Sequence, residues 1–194
     1  MGRSTVFDLI ARGMNRNEYN QTGIDTPAKW IDAFNAALQD LTEDIGLEAS
    51  TTILFDPSQR EYTLPDDYFE VKEMYDGFGC PVNKRRLYDY NYWFPQGYYI
   101  LNKGANYVID LFDYNSAQTF TLLYIRYPAQ LALADYQILK PEVPTIGEDA
   151  LIEYAIMIAL RNNNQLGQAQ VVEERYERLR KKIRDARYRA TVGW

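Results

Sequence analysis

From Gly147 to Arg161 the chain reads G-E-D-A-L-I-E-Y-A-I-M-I-A-L-R, and only Glu153 and Tyr154 interrupt the apolar run from Ala150 to Leu160. Acids at the start and a base at the end suit a helix dipole. A helix that is apolar nearly all round must be covered on most of its sides. It is too short for a bilayer, which takes about 20 apolar residues. The pattern therefore predicts a central core helix, covered by the rest of the chain or in part by another subunit.

Upstream, Ser4 is placed to cap a short helix over 5–14, with Val6, Leu9 and Ile10 on one face. Thr26-Pro27 gives a cap residue followed by proline in the first turn, a strong start signal. Trp30, Ile31, Phe34, Leu38, Leu41 and Ile45 follow at helical spacing, and Gly46 is placed to end that helix. From Ser50 the period shortens. Residues 50–55 and 61–64 read as two strands joined by the turn Asp56-Pro57-Ser58-Gln59-Arg60. Residues 69–75 read as another strand, 84–94 as a tyrosine-rich connection, and 98–102 with 107–112 as a hairpin around Lys103-Gly104-Ala105-Asn106. The longest strand candidate is 119–127, ended by Pro128. These elements predict an antiparallel meander of five or six strands. Pro128, Pro141 and Pro144 mark 128–146 as an irregular crossing. The last helix is predicted over 168–189, with Val172, Tyr176, Leu179, Ile183, Ala186 and Ala190 spaced 4, 3, 4, 3 and 4 apart. That spacing is a heptad seam and asks for a partner, either the first helices of this chain or another protein.

Charge changes the picture of that last helix. The net charge of the 194-residue chain is −6. Residues 173–189 hold eight Arg or Lys and four Asp or Glu, net +4, which leaves −10 for the rest. An acidic body with a basic arm can pair head to tail or offer the arm to an acidic partner. The 17 tyrosines fit either strands, where aromatics are favoured, or interfaces, where they are enriched.

The chain has no His and a single Cys, Cys80, so no zinc ligand set and no intrachain disulfide is expected. Gly77-Phe78-Gly79 lacks the third glycine of a dinucleotide loop, and no phosphate loop or nucleophile elbow occurs. Asp66, Asp67 and Glu70 have the oxygen chemistry of a hard-cation site, but Leu64-Pro65-Asp66-Asp67-Tyr68 reads as a turn on its own terms. The start of the chain lacks a signal-peptide apolar run, so synthesis in the cytoplasm is expected. No catalytic residue, cofactor or metal is expected.

Two stretches carry a resemblance. Residues 27–45, with Trp30-Ile31-Asp32-Ala33-Phe34-Asn35-Ala36-Ala37 at the middle, resemble the first long helix of tailed-phage head-tail adaptor proteins. Arg60-Glu61-Tyr62-Thr63-Leu64-Pro65-Asp66-Asp67-Tyr68 is similar to that family's Tyr-x-Leu-Pro strand end, and the closing helix pair is similar too. The resemblance implies an α+β fold: a bundle of two N-terminal and two C-terminal helices with an inserted antiparallel β-meander or small β-barrel-like domain. Its segments would be 1–49, 50–127 and 128–194. It implies a structural virion protein of the neck, a ring of 12 copies that joins the portal to a tail or nozzle protein and forms part of the channel through which DNA passes without specific binding. The portal-docking residues would be Arg180, Lys181, Arg184, Arg187, Tyr188 and Arg189, with Trp194 as an anchor. Two other readings stay open: a nucleic-acid-binding packaging accessory and a tail-associated cell-wall hydrolase. Four acids inside the basic segment and an acidic remainder oppose tight duplex binding.

Overall fold

The computed structural model describes residues 3–16, 20, 22–85, 96–104 and 106–192. Among them are five α-helices and six strands, an α+β fold with helices at both ends of the chain. The chain divides into two compact units, Met1–Gly46 with Tyr127–Trp194, and Leu47–Arg126. None of the described helices is long and apolar enough to cross a membrane.

In the helical unit, α1 spans Val6–Met14 and is capped by Thr5 rather than by the expected Ser4. Thr5 and Asp8 form a reciprocal capping box that satisfies two end-of-helix donors at once. This frees Ser4, whose N–H and hydroxyl both donate to Glu148, each at 2.7 Å. Gly13 has no side chain because the Trp30 ring lies where its Cβ would go.

Helix α2, Pro27–Asp40, begins as expected: Thr26 accepts the Lys29 N–H, and Pro27 stands in the first turn. It buries Trp30, Ile31, Phe34, Ala37 and Leu38. The expected continuation to Ile45 is broken. Leu41 ends α2, and Thr42–Ile45 forms a separate turn, α3, closed by Gly46 at φ +62. Asn35 exchanges two hydrogen bonds with the backbone of Leu131, accepting its N–H at 2.8 Å and donating to its carbonyl at 3.1 Å. That pins the Pro-containing crossing, which holds only a short 3-10 turn at Leu133–Asp135. The crossing is also fastened at α1, where the Val6 and Phe7 N–H groups donate to the Leu139 and Tyr136 carbonyls.

Helix α4, Thr145–Asn162, is the expected core rod: Ala150, Leu151, Ile152, Ala155, Ile156 and Leu160 are all essentially inaccessible. Helix α5 runs over Leu166–Val192, longer at both ends than the expected 168–189. Val172, Tyr176 and Ile183 of the seam are buried and Leu179 packs beside them, all against side chains of this same unit. Ala186 and Ala190, the last two seam positions, are exposed.

The second unit contains β1 (Glu48–Phe55), β2 (Glu61–Thr63), β3 (Tyr68–Tyr75), β4 (Gly97–Lys103), β5 (Asn106–Phe112) and β6 (Gln118–Arg126). They form two three-stranded antiparallel sheets, ordered β1-β6-β3 and β2-β5-β4. The hairpin around Lys103 to Asn106 forms as expected and, among the described residues, gives the only pairing of strands adjacent in sequence. The expected return of 61–64 along 50–55 does not occur. Asp56 makes the turn, accepting the Ser58 and Gln59 N–H groups, but the chain then enters the other sheet and Tyr62 pairs with Ile109. The strands are thus not laid out as a sequential meander. Both sheets feed one core in which Phe55, Tyr114 and Phe120 meet edge to face at 4.9–6.0 Å. Most of the tyrosine-rich connection, 86–95, lies outside the described residues.

Candidate functional site

Helix α5 presents two opposite faces of different chemistry. Its inner face packs on α4 through Ala169, Val172, Tyr176 and Ile183. The Tyr176 ring meets Tyr154 at 5.3 Å, and its hydroxyl donates to the Asp40 carboxylate. Burial, with Asp40 adding to it, pushes the Tyr176 phenol far above the ordinary 10.0.

Further along, three arginines turn back onto α3. Arg180 bonds Asp44 and lies 3.5 Å from Asp40. The Arg184 Nε donates to the other oxygen of Asp44 at 2.7 Å. Arg187 donates to the Glu43 carbonyl and covers Gly46, where an added Cβ would strike its guanidinium. The Asp44 side chain is only 2% exposed, so a single buried carboxylate holds two cations. Burial opposes the charge on Arg180, yet the Asp44 hydrogen bond and the two carboxylates outweigh it and raise its pKa. The Arg184 pKa is raised by its Asp44 hydrogen bond.

The outer face carries Arg178, Lys181, Lys182, Asp185, Tyr188 and Arg189, all exposed. Their spacing of 3, 1, 3, 3 and 1 places them on one side of a helix. Gln170, Glu173, Glu174 and Glu177, just before them, line an open hollow of about 470 Å³ with Arg178, so the exposed side of the helix is acidic first and basic after. Of the expected docking residues, Lys181, Tyr188 and Arg189 face outward, whereas Arg180, Arg184 and Arg187 turn toward α3. Trp194 lies outside the described residues.

A second set of charges is built into the helical unit. Glu148 and Glu153 of α4 are buried at 2% and 4% exposure. Glu148 receives Arg12 at 3.0 Å, Asp149 receives Arg12 at 2.6 Å and Arg16 at 3.2 Å, and Glu153 lies 3.7 Å from Arg16 and 3.8 Å from Arg175. Burial would raise the Glu148 pKa, but the Ser4 N–H and hydroxyl and the Arg12 guanidinium outweigh it and hold the carboxyl below the ordinary 4.5. These contacts bind α1 and α5 to the core rod. No cluster of three or more metal-ligating side chains occurs among the described residues, and Asp67 instead accepts the Tyr124 hydroxyl at 3.0 Å. The buried acids were not anticipated. Asp44 has no local signal, since its partners lie 136 and 140 positions away. Glu148 is legible only as an acid at the helix start, and Glu153 only as a polar break in an apolar run.

The outward face of α5 is basic toward its end, and every buried acid among the described residues is answered by arginine. The family model described as SU10 adaptor protein matches residues 4–193. The chain belongs to the SU10 adaptor protein family. It is a bacteriophage adaptor, a structural component that works in contact with other virion proteins. No curated protein matches it. The resemblance drawn from Trp30 to Ala37 and from Tyr62 to Tyr68 agrees with this membership.

Proposed function

We propose that this SU10 adaptor protein is one subunit of a closed neck ring, of the roughly 12 copies that the resemblance implies, which joins the portal to the tail and encloses part of the DNA channel. The observation that carries this reading is the two-faced α5: one face is fastened to the chain's own bundle, and the other offers Lys181, Lys182, Tyr188 and Arg189 to a partner. A ring needs heterologous contacts, in which one patch meets a different patch. An acidic body and a basic arm supply two unlike surfaces. In this reading 1–49 and 128–194 form the bundle that meets the portal, and 50–127 faces tail components. Docking rests on Arg180, Lys181, Arg184, Arg187, Tyr188, Arg189 and Trp194 in two roles. Arg180, Arg184 and Arg187 set the direction of the arm through Asp44 and Glu43, and Lys181, Tyr188 and Arg189 make the outer contact. Acidic side chains along the bore would let DNA pass, since like charge prevents phosphate capture.

The test is deletion of residues 185–194. The truncated chain is expected to stay folded by circular dichroism and to fail to join purified portal in light scattering. Unimpaired joining would reject the arm assignment. A ring whose lumen is lined mainly by Lys and Arg in electron microscopy would reject the channel.

A further inference from the structure

The two sheets of the second unit have four outer edges, and three are blunted in ways that prevent stray pairing. Strand β2 is only three residues long. Strand β3 has register shifts between Tyr68 and Glu70 and between Val71 and Glu73, and carries the charges of Glu70, Lys72 and Glu73. The outer edge of β4 is taken by its own chain, with the Tyr98 N–H donating to the Asn83 carbonyl at 3.2 Å and the Arg85 N–H to the Tyr98 carbonyl at 2.9 Å. Short length, bulges, charge and local cover are the usual protections of a sheet edge.

Among the described residues strand β1 is neither short, bulged nor covered, and its one charge, Glu48, stands at its first position. Its eight residues pair with β6 in unbroken register, and among the described residues β6 is its sole ladder partner. The sequence Ala49-Ser50-Thr51-Thr52-Ile53-Leu54-Phe55 is strongly strand-forming and holds no Pro, Gly or charge. It alternates cleanly, with Ser50, Thr52 and Leu54 outward and Ile53 and Phe55 in the core. Leu54 is 73% exposed. A long, uncharged edge bearing an uncovered leucine is a template for one more strand.

The occupant follows from symmetry and charge. Pairing of β1 with β1 of a second copy is two-fold and closes at two chains, so it does not propagate round a ring. Pairing of β1 with β3 of a second copy meets the bulges and the charges of Glu70, Lys72 and Glu73. A foreign strand remains. Glu48 opens β1 and Asp56 follows it, and the Ser58 hydrogen bonds hold the Asp56 carboxyl below its ordinary range. Lys72 of β3 already pairs with Glu48 at 2.6 Å, so the template is neutral along its length and keeps its acidic end at Asp56. We propose that β1 receives, as the fourth strand of its sheet, an extended segment of a different virion protein, neutral along its length, with a Lys or Arg at the end that meets Asp56 and an apolar side chain over Leu54. This rests on the adaptor reading above.

The test places a photo-crosslinking residue at Thr52 of the full chain within assembled particles, with Glu70 on the protected edge as control. The expected result is an adduct between position 52 and one segment of a different virion protein, with position 70 giving none. Ser50→Lys with Thr52→Lys, both on the exposed face, is expected to lower the yield of infectious particles by at least about tenfold while leaving the melting temperature of the isolated chain unchanged. Adducts joining position 52 only to another copy of this chain, equal adducts from position 70, or full yield from the double variant would overturn the proposal. Particles that contain the chain but show no adduct at position 52 overturn the β1 assignment alone; particles that lack the chain overturn the adaptor reading with it.

Discussion

The helical unit and the β unit are held together by different chemistry. All five buried polar or charged side chains among the described residues, Thr22, Thr42, Asp44, Glu148 and Glu153, belong to the helical unit. There, arginines from α1 and α5 reach carboxylates far away in sequence and fix which helix lies against which. Among the described residues the β unit buries no charge. Its core is aliphatic and aromatic, with Phe55, Tyr68, Tyr98, Phe120 and Tyr124 among its members. Buried ion pairs demand specific geometry and penalise the loss of either partner. An apolar core loses stability in proportion to the volume removed. The contrast gives the arm-bearing unit a defined orientation for α5 and gives the strand-bearing unit a rigid platform.

The contrast breaks most sharply at Phe120, which is fully inaccessible and touches both Phe55 and Tyr114. Phe120→Ala should cost about 4 kcal/mol in denaturant titration, with hydrogen exchange rising across 47–126 first. If 145–183 loses protection to the same extent, the two units do not differ in the way described. Next in size is Asp44→Ala, which strips two arginines of their common carboxylate and should cost about 3 kcal/mol. Proteolysis of the 184–192 end should accelerate in the same variant, and an unchanged cleavage rate would mean that Asp44 does not hold the arm. Gly46→Ala should cost about 1–2 kcal/mol, since a left-handed φ of +62 is unfavourable for any residue with a Cβ and the new methyl displaces Arg187.

The smallest effects are in pH dependence. Glu148 has a folded pKa below its ordinary 4.5, so its contribution is present above that value and is lost as pH falls through the folded pKa. Glu148→Gln should flatten the acid limb of a stability–pH curve. Burial pushes the Tyr98 and Tyr114 phenols up to about 12. The unfolded chain therefore releases those protons first, and stability should fall as pH rises from about 10 to about 12. Absorbance at the phenolate band, followed with Tyr98→Phe, checks this. A variant with an unaltered alkaline limb would remove Tyr98 from the account.

What could be read before the structure was local. Thr26-Pro27, the apolar run of α4 and the turn at Gly104 each depend on a few adjacent residues, and each forms as expected. The misses depend on distance. Ser4 was expected to cap α1 because nothing nearby shows that Glu148 competes for it. Strand β1 was expected to pair with β2 because closeness in sequence favours a hairpin, yet β6 offers eight residues in register and β2 only three. The break at Leu41 was hidden because Leu41 and Ile45 keep the helical spacing across it. At the arm the basic residues were legible as a set, but their division into inner and outer faces was not, since it is drawn by Asp44.

Cys80 is the only cysteine of the chain and stands exposed in the turn after β3, where its N–H donates to Asp76 at 2.8 Å. Each subunit therefore comes with one addressable thiol, mounted on a turn pinned through its own backbone. A maleimide dye at that thiol labels each protomer once with no engineered residue. The number of photobleaching steps from one surface-tethered assembly then counts its subunits.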